Sequence, residues 1–189
     1  MDLNITNEPG RADPRTTSKH DTQSKEIAFA TGKSALGTVL VARSAQGICA
    51  ILIGPEAGEL TADLAVRFPE NTLVRNDRRL DGDLRKILRF IETPARGLDL
   101  ELDIHGTPFQ RRVWDALCGI PAGQTVTYAA LARRIGEPGS ARAVANACAA
   151  NAIALAIPCH RVVRSDGTLS GYRWGVERKR ALIAREALV

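Results

Sequence analysis

Two apolar, β-branched runs set the first constraint on the fold. Leu36 to Ala42 (LGTVLVA) and Ile48 to Ile53 (ICAILI) are joined by Arg43-Ser44-Ala45-Gln46-Gly47. Short β-rich runs with a glycine-containing connection read as a hairpin. Cys49, inside the second run, is most simply a core residue. Glu59 to Phe68 and Leu80 to Ile91 show helical spacing. Pro69 ends the first helix, and Asp81 or its neighbours start the second. Leu98 to Ile104 (LDLELDI) alternates strictly and predicts a strand with one wet face. Residues 31–103 thus form a small N-terminal α/β unit with a short antiparallel sheet. Nothing in that unit looks chemical, so it is assigned a scaffolding role.

Ahead of it, residues 1–30 carry Pro9, Gly10, Pro14 and a Thr-Thr-Ser run with little apolar content. Such a segment cannot offset its ordering entropy and reads as a disordered lead-in, with His20 a solvated side chain. It has no apolar core of the kind a secretory signal needs. No apolar run approaches the roughly 18 residues of a membrane span. Cys49, Cys118, Cys148 and Cys159 are widely spaced, with no Cys-x-x-Cys pair. That argues against a zinc site and a disulfide scaffold, and favours a reducing, cytoplasmic setting.

Residues 104–189 form the second unit, mainly helical. His105-Gly106 breaks the strand pattern; His105 is read as structural or solvated. Thr107-Pro108 supplies an N-cap and a proline at the first helical position. Phe109, Val113, Trp114 and Leu117 then recur at helical spacing, and the helix stops at Gly119-Ile120-Pro121. Thr127 caps a helix reaching Ile135, Gly136-Glu137-Pro138-Gly139 turns, and Ser140 to Ala150 (SARAVANACAA) forms another helix. Helix, glycine turn, helix is the sequence form of a helix-turn-helix. The second helix is rich in alanine, with Arg142 near its start. It cannot reach base edges in the major groove as longer polar residues do. It either packs tightly inside the domain or lies in a minor groove with one arginine projecting. From Ile104 onward 12 Lys and Arg stand against 5 Asp and Glu, whereas the first 103 residues hold 14 against 16. A basic half of this kind points weakly to a polyanion.

Ile157-Pro158-Cys159-His160-Arg161-Val162-Val163 places a thiol beside an imidazole on a stiff backbone. Pro158 fixes its own φ and biases Ile157 towards extended geometry. A placed thiol beside a titratable group is a candidate nucleophile, and a merely packed cysteine is the alternative. Beyond it lie Asp166-Gly167, the glycine-bounded Gly171-Tyr172-Arg173-Trp174-Gly175, and a final helix from Val176 to Leu188. Its pattern puts Lys179 and Arg180 outside and Leu182 and Ile183 inside. Glu186 sits near its C-terminus, where the helix dipole disfavours a carboxylate.

Gly106-Thr107-Pro108-Phe109-Gln110, Ile120-Pro121-Ala122-Gly123-Gln124-Thr125, Tyr128, Arg142-Ala143-Val144-Ala145, Asn151, Pro158-Cys159-His160-Arg161-Val162 and Gly171-Tyr172 together resemble the O6-alkylguanine-DNA alkyltransferase family. The similarity runs from about Leu36 to Glu186. Through Leu169-Ser170-Gly171-Tyr172-Arg173-Trp174-Gly175-Val176 it looks closest to the C-terminal methyltransferase part of bacterial Ada proteins. The resemblance implies an α+β fold, with a ribonuclease H-like N-terminal unit and a DNA-binding helix-turn-helix in the C-terminal one. It implies one irreversible alkyl transfer from guanine O6, and less from thymine O4, in double-stranded DNA to Cys159. Neither cofactor nor metal is expected, and the protein is expected to be a monomer.

By the same resemblance Glu186 holds His160, and a relay runs from Glu186 through His160 and a water to Cys159. Asn151 braces the turns of the site, and Tyr128 donates to guanine N3. Tyr172 and Lys179 are pocket residues. The backbones of Cys159, Val162 and Arg173 read the base edge. Arg142 fills the gap left by a flipped base, on a face built from Ser140, Ala141, Ala143 and Ala145. Trp174 occupies a position that is small in some relatives and is expected to narrow the pocket against benzyl-sized groups. The upstream cysteine cluster and regulator helix-turn-helix of full Ada proteins are not matched, so a self-methylation switch is not expected. A lesion sensor of the alkyltransferase-like type is the alternative, disfavoured by the presence of Cys159. A cysteine hydrolase is a third reading, for which adjacent Cys and His are poorly placed.

Overall fold

The computed structural model describes residues 25–169 and 171–188. Most of the expected lead-in, including His20, lies outside these residues. Its last part does not behave as a lead-in. Glu26–Ser34 is strand β1, with Ile27 to Ala30 buried. The apolar run from Ile27 to Ala30 is short and follows directly on a polar stretch, which hides it in the sequence. β1 runs antiparallel to β2 (Gly37–Arg43), which runs antiparallel to β3 (Ile48–Gly54). A bulge at Ala42/Arg43 interrupts the second ladder. Gly37 turns β1 into β2 with φ +105°, and a Cβ there would stand 2.6 Å from Gly54 O, so the turn admits only glycine.

Helix α1 (Ala57–Arg67) follows, then β4 (Thr72–Arg75), which joins the far side of β1 in parallel. The sheet order is β3-β2-β1-β4. It is therefore mixed rather than purely antiparallel, because β4 is reached through a helical crossover. Helix α2 (Asp77–Glu92) starts at Asn76, whose side chain accepts the Arg79 N–H at 3.1 Å, and lies against β1 and β2.

Leu98 to Ile104 is not a strand. Its apolar side chains do pack inward. Its backbone, however, meets β3 only at Ile48, through Ile48 N–H to Glu101 O (2.8 Å) and Asp103 N–H to Ile48 O (2.9 Å). The alternation reports one covered face, and no ladder forms along it. The same edge of β3 holds a second segment farther along. Ile51 N–H donates to Ala152 O (2.9 Å) and Ala154 N–H donates to Ile51 O (3.0 Å). β3 is thus a rail on which the approach to Cys159 is hung.

Helix α3 (Pro108–Cys118) begins with a capping box. Gln110 N–H donates to Thr107 Oγ1 (3.2 Å), and Thr107 N–H donates to Gln110 Oε1 (2.9 Å). α3 buries Val113, Trp114 and Leu117, and Trp114 Nε1–H donates to Ala147 O at 2.9 Å. Ala147 belongs to α5 (Ala141–Ala150), which follows α4 (Tyr128–Arg134), itself capped by Thr127 Oγ1. A short parallel pair, β5 (Val126–Thr127) and β6 (Val162–Val163), ties the start of α4 to the segment after Cys159. Helix α6 (Val176–Glu186) closes the chain. No helix among the described residues is long and apolar enough to cross a membrane.

Candidate active site

Cys159 opens a single 3₁₀ turn, Cys159–Arg161, rather than continuing an extended run. A turn of about three residues per revolution points neighbouring side chains about 120° apart. Cys159 and His160 therefore diverge, as expected, though for a different reason. The backbone before the turn is constrained. Leu155, buried, sits at φ +70°, a region costly for a branched side chain. Asn151, fully buried, fixes this stretch. Its Nδ2 donates to Ile157 O (2.9 Å) and to Cys159 Sγ (3.3 Å), and its Oδ1 accepts from Ile153 N–H (2.8 Å). One side chain thus ties the end of α5 to the sulfur of Cys159.

Burial pushes the Cys159 thiol up to about 11, against the opposing effects of the Asn151 hydrogen bond and the Lys179 charge. The sulfur is therefore a thiol at neutral pH, and to act as a nucleophile it would need a base. His160, the next residue in the chain, is the candidate for that base. Its Nε2 lies 2.9 Å from Glu186 Oε1, and its Nδ1 is buried with no hydrogen-bond partner among the described residues. Burial holds the imidazole below its ordinary value, with Glu186 opposing, so the ring is neutral. A neutral ring facing a carboxylate carries its proton on Nε2, which leaves the Nδ1 lone pair open.

Glu186 is almost completely buried, and burial alone would raise its pKa. The hydrogen bonds from His160 and Arg161 outweigh that and bring it down to about 2. Arg161 was the unassigned member of the motif. Its Nε donates to Glu186 Oε2 and its Nη2 to Oε1, both at 2.8 Å, and its Nη1 donates to Ile120 O. This fork answers the dipole problem at the end of α6. The only sequence signal was the arginine's place two residues after the cysteine.

Lys179 faces inward, contrary to the helical pattern, and is fully buried. Its Nζ stands 6.0 Å from the Tyr128 ring centroid, and it acts electrostatically on both Cys159 and Cys148. Tyr172 is buried, edge-on to His160 at 6.5 Å and to Trp174 at 5.1 Å. Val162 is buried in β6. Trp174 lines a groove with Ile53, Leu60, Asp63 and Arg178, so it supports Tyr172 from behind. The Arg173 side chain turns away from the site to pair with Asp63 at 2.7 Å, which leaves its backbone for any contact with a base. His105 pairs with Asp103 at 2.9 Å on the surface.

Residues 108–188 match the family model described as 6-O-methylguanine DNA methyltransferase, DNA binding domain. The methylated-DNA–protein-cysteine methyltransferase of Candida albicans is 38% identical over 161 residues, covering 80% of this chain and 91% of that protein. The chain belongs to this methyltransferase family. The bifunctional transcriptional activator/DNA repair enzyme Ada of Escherichia coli is 47% identical over 169 residues, covering 89% of this chain. The chain spans about half the length of the Ada proteins it matches, 48% in Escherichia coli and 43% in Salmonella typhimurium. The crystal structure of Mycobacterium tuberculosis O6-methylguanine methyltransferase superposes with a TM-score of 0.68 at 32% identity, covering 86% of this chain and 93% of that one. The same enzyme in complex with DNA superposes equally well.

On the outer side of the methyltransferase fold, α4 and α5 form the expected helix-turn-helix. Ser140, Ala141 and Ala145 are half-buried, while Arg142 and Ala143 are exposed. Tyr128, Ala141, Arg142 and Ala145 line a groove of ≈ 410 Å³. The loop after β6, from Arg164 to Asp166, forms its other wall. That loop carried no assignment from sequence.

Proposed function

We propose that the protein repairs O6-alkylguanine in double-stranded DNA, and O4-alkylthymine to a lesser extent, by moving the alkyl group irreversibly onto Cys159. One observation carries this reading above the others. A buried thiol is braced by Asn151 beside a neutral, Glu186-held histidine, on the chain segment joining a small-sided helix to the groove loop.

A stacked base cannot reach a buried sulfur, so the lesion is flipped out at a cost of a few kcal/mol. Arg142, exposed at the start of α5, fills the gap left in the stack. The thiol proton of Cys159 passes across a water to Nδ1 of His160, and Glu186 stabilises the imidazolium formed. The sulfur lone pair attacks the alkyl carbon, and an S–C bond forms as the C–O6 bond breaks. The electron pair leaves on guanine. Tyr128 donates to N3 of the departing base, where a donor offsets developing charge. Lys179 favours the thiolate. The backbones of Cys159, Val162 and Arg173 read the base edge, and Tyr172 closes the pocket beside His160. The product is a thioether, which the site has no means to reopen, so each molecule acts once.

One chain carries every group in this scheme, and a monomer suffices. All four cysteines are unpaired thiols, which suits the cytoplasm. Residues 26–103, β1 included, serve as scaffold through the β3 edge, and residues 104–189 bind DNA and accept the alkyl group.

The test is a duplex carrying radiolabelled O6-methylguanine. Label should appear on protein at one equivalent, saturate, and vanish in Cys159→Ser. Binding without transfer would instead mark a lesion sensor, and repeated turnover a hydrolase.

A further inference from the structure

The groove beside Arg142 has a second cation on its opposite wall. Arg164 follows β6 directly, as Tyr128 follows β5, and the ladder pairs Thr127 with Val163. The register therefore sets Arg164 alongside Tyr128. Its backbone is held on both sides, because Arg164 N–H donates to Thr168 O (3.1 Å) and Gly167 N–H donates to Arg164 O (2.9 Å). The tight turn is locked by Asp166, whose Oδ1 accepts from Thr168 N–H (2.9 Å) and Thr168 Oγ1 (2.7 Å).

The arginines of this half are mostly committed elsewhere. Arg112, Arg161, Arg173 and Arg180 are ion-paired, and Arg111, Arg178 and Arg185 donate to backbone carbonyls. Arg133 and Arg134 lie in the last turn of α4, where they suit the helix dipole. Arg142 and Arg164 are both exposed, and neither side chain makes a hydrogen bond or ion pair among the described residues, although the Arg164 charge acts on nearby Asp166. Both line the one groove, with Asp166 as the acidic group there. Asp166 spends one oxygen on its own turn, and the groove keeps a net positive charge.

We propose that Arg164 binds a backbone phosphate of the DNA strand across the groove from Arg142, so that the two arginines straddle the flipped nucleotide. The inference rests on the DNA-repair reading above and adds a residue to it. A guanidinium suits this role because its fork matches two phosphate oxygens. A phosphate contact positions the strand and reads no sequence.

The experiment uses the full chain carrying Cys159→Ser, to stop transfer, and a fluorescent duplex with or without O6-methylguanine. Affinity is measured between about 50 and 200 mM salt. Arg164→Gln should weaken binding to both duplexes by the same factor and lower the salt slope by about 0.9. The gap to the parent should then narrow about threefold across that range. Arg164→Lys should keep the slope, and Arg180→Gln, which removes an arginine paired with Glu177, should match the parent. An unchanged slope in Arg164→Gln, while Arg142→Ala weakens binding, overturns the inference and leaves the repair reading standing. A parent that binds neither duplex overturns both.

Discussion

Arg161 and Glu186 stand 25 residues apart and meet through two parallel hydrogen bonds of 2.8 Å, with His160 sharing one of the carboxylate oxygens at 2.9 Å. The pair joins the 3₁₀ turn that begins at Cys159 to the end of α6. Through Arg161 Nη1 and Ile120 O it also joins the loop after α3. Three elements are therefore tied together through the Arg161–Glu186 pair, and the same carboxylate holds His160.

Arg161→Ala should cost about 3–5 kcal/mol of folding free energy, since it strands a buried carboxylate. Arg161→Lys keeps the charge but loses the fork, and should fall between. Denaturant unfolding checks both. A variant as stable as the parent would mean that the pair contributes nothing to the fold.

The same triad makes stability depend on pH with a definite sign. Glu186 is lowered from 4.5 to about 2, so its contribution is complete above 4.5 and disappears as pH falls through about 2. The shift corresponds to about 3 kcal/mol at neutral pH. His160 is also lowered, by burial first, so the unfolded chain takes up its proton before the folded one. Stability should then begin to fall below about pH 6.5, ahead of the Glu186 loss. Unfolding free energies from pH 7 to pH 2 should decline in the parent, with a shallower decline in Glu186→Gln. Parallel curves would contradict the assignment.

Much of what surrounds Cys159 is legible in the sequence because it is local. Pro158, Cys159 and His160 are contiguous, and Thr107-Pro108 and Thr127 mark helix starts by short-range chemistry. What was missed depends on distant partners. Lys179 looks like a surface residue of α6 until α4 and the Cys159 turn cover it. Arg161 has no role until α6 brings Glu186 to it. β1 hid behind a polar stretch, and β4, four residues long, is too short to show a pattern. Leu98 to Ile104 shows the converse. Its alternation reports burial faithfully, but pairing needs a neighbour's backbone, which periodicity does not reveal.

Asn151→Ala should leave the Ile153 N–H and Ile157 C=O without their buried partner, at about 1–3 kcal/mol each. Asn151→Asp is the sharper variant. It keeps an acceptor for Ile153 but sets a negative charge against Cys159 Sγ and Ile157 O. Transfer from O6-methylguanine should slow well beyond the loss of folded protein, and single-turnover rates scaled to folded fraction would show it. Equal scaled rates in Asp and parent would remove Asn151 from the activation of Cys159.

Lys179→Met separates charge from bulk at the sulfur. The lysine is buried, and its charge opposes the rise that burial imposes on Cys159. Burial also lowers the lysine itself, which shows what holding it there costs. Removing it should shift the pH midpoint for alkylation of Cys159 by iodoacetamide upward from about 11. Folding should be little changed or improved, because an apolar chain of similar length replaces a desolvated cation. A midpoint that stays put would show that Lys179 acts on the departing base, or on Tyr128, rather than on the nucleophile. Cys148→Ala gives the matching control on the other side of Lys179. That thiol is pushed far up by burial first and by Cys159 next, so it is still neutral when Cys159 ionises, and removing it should leave the Cys159 midpoint unchanged.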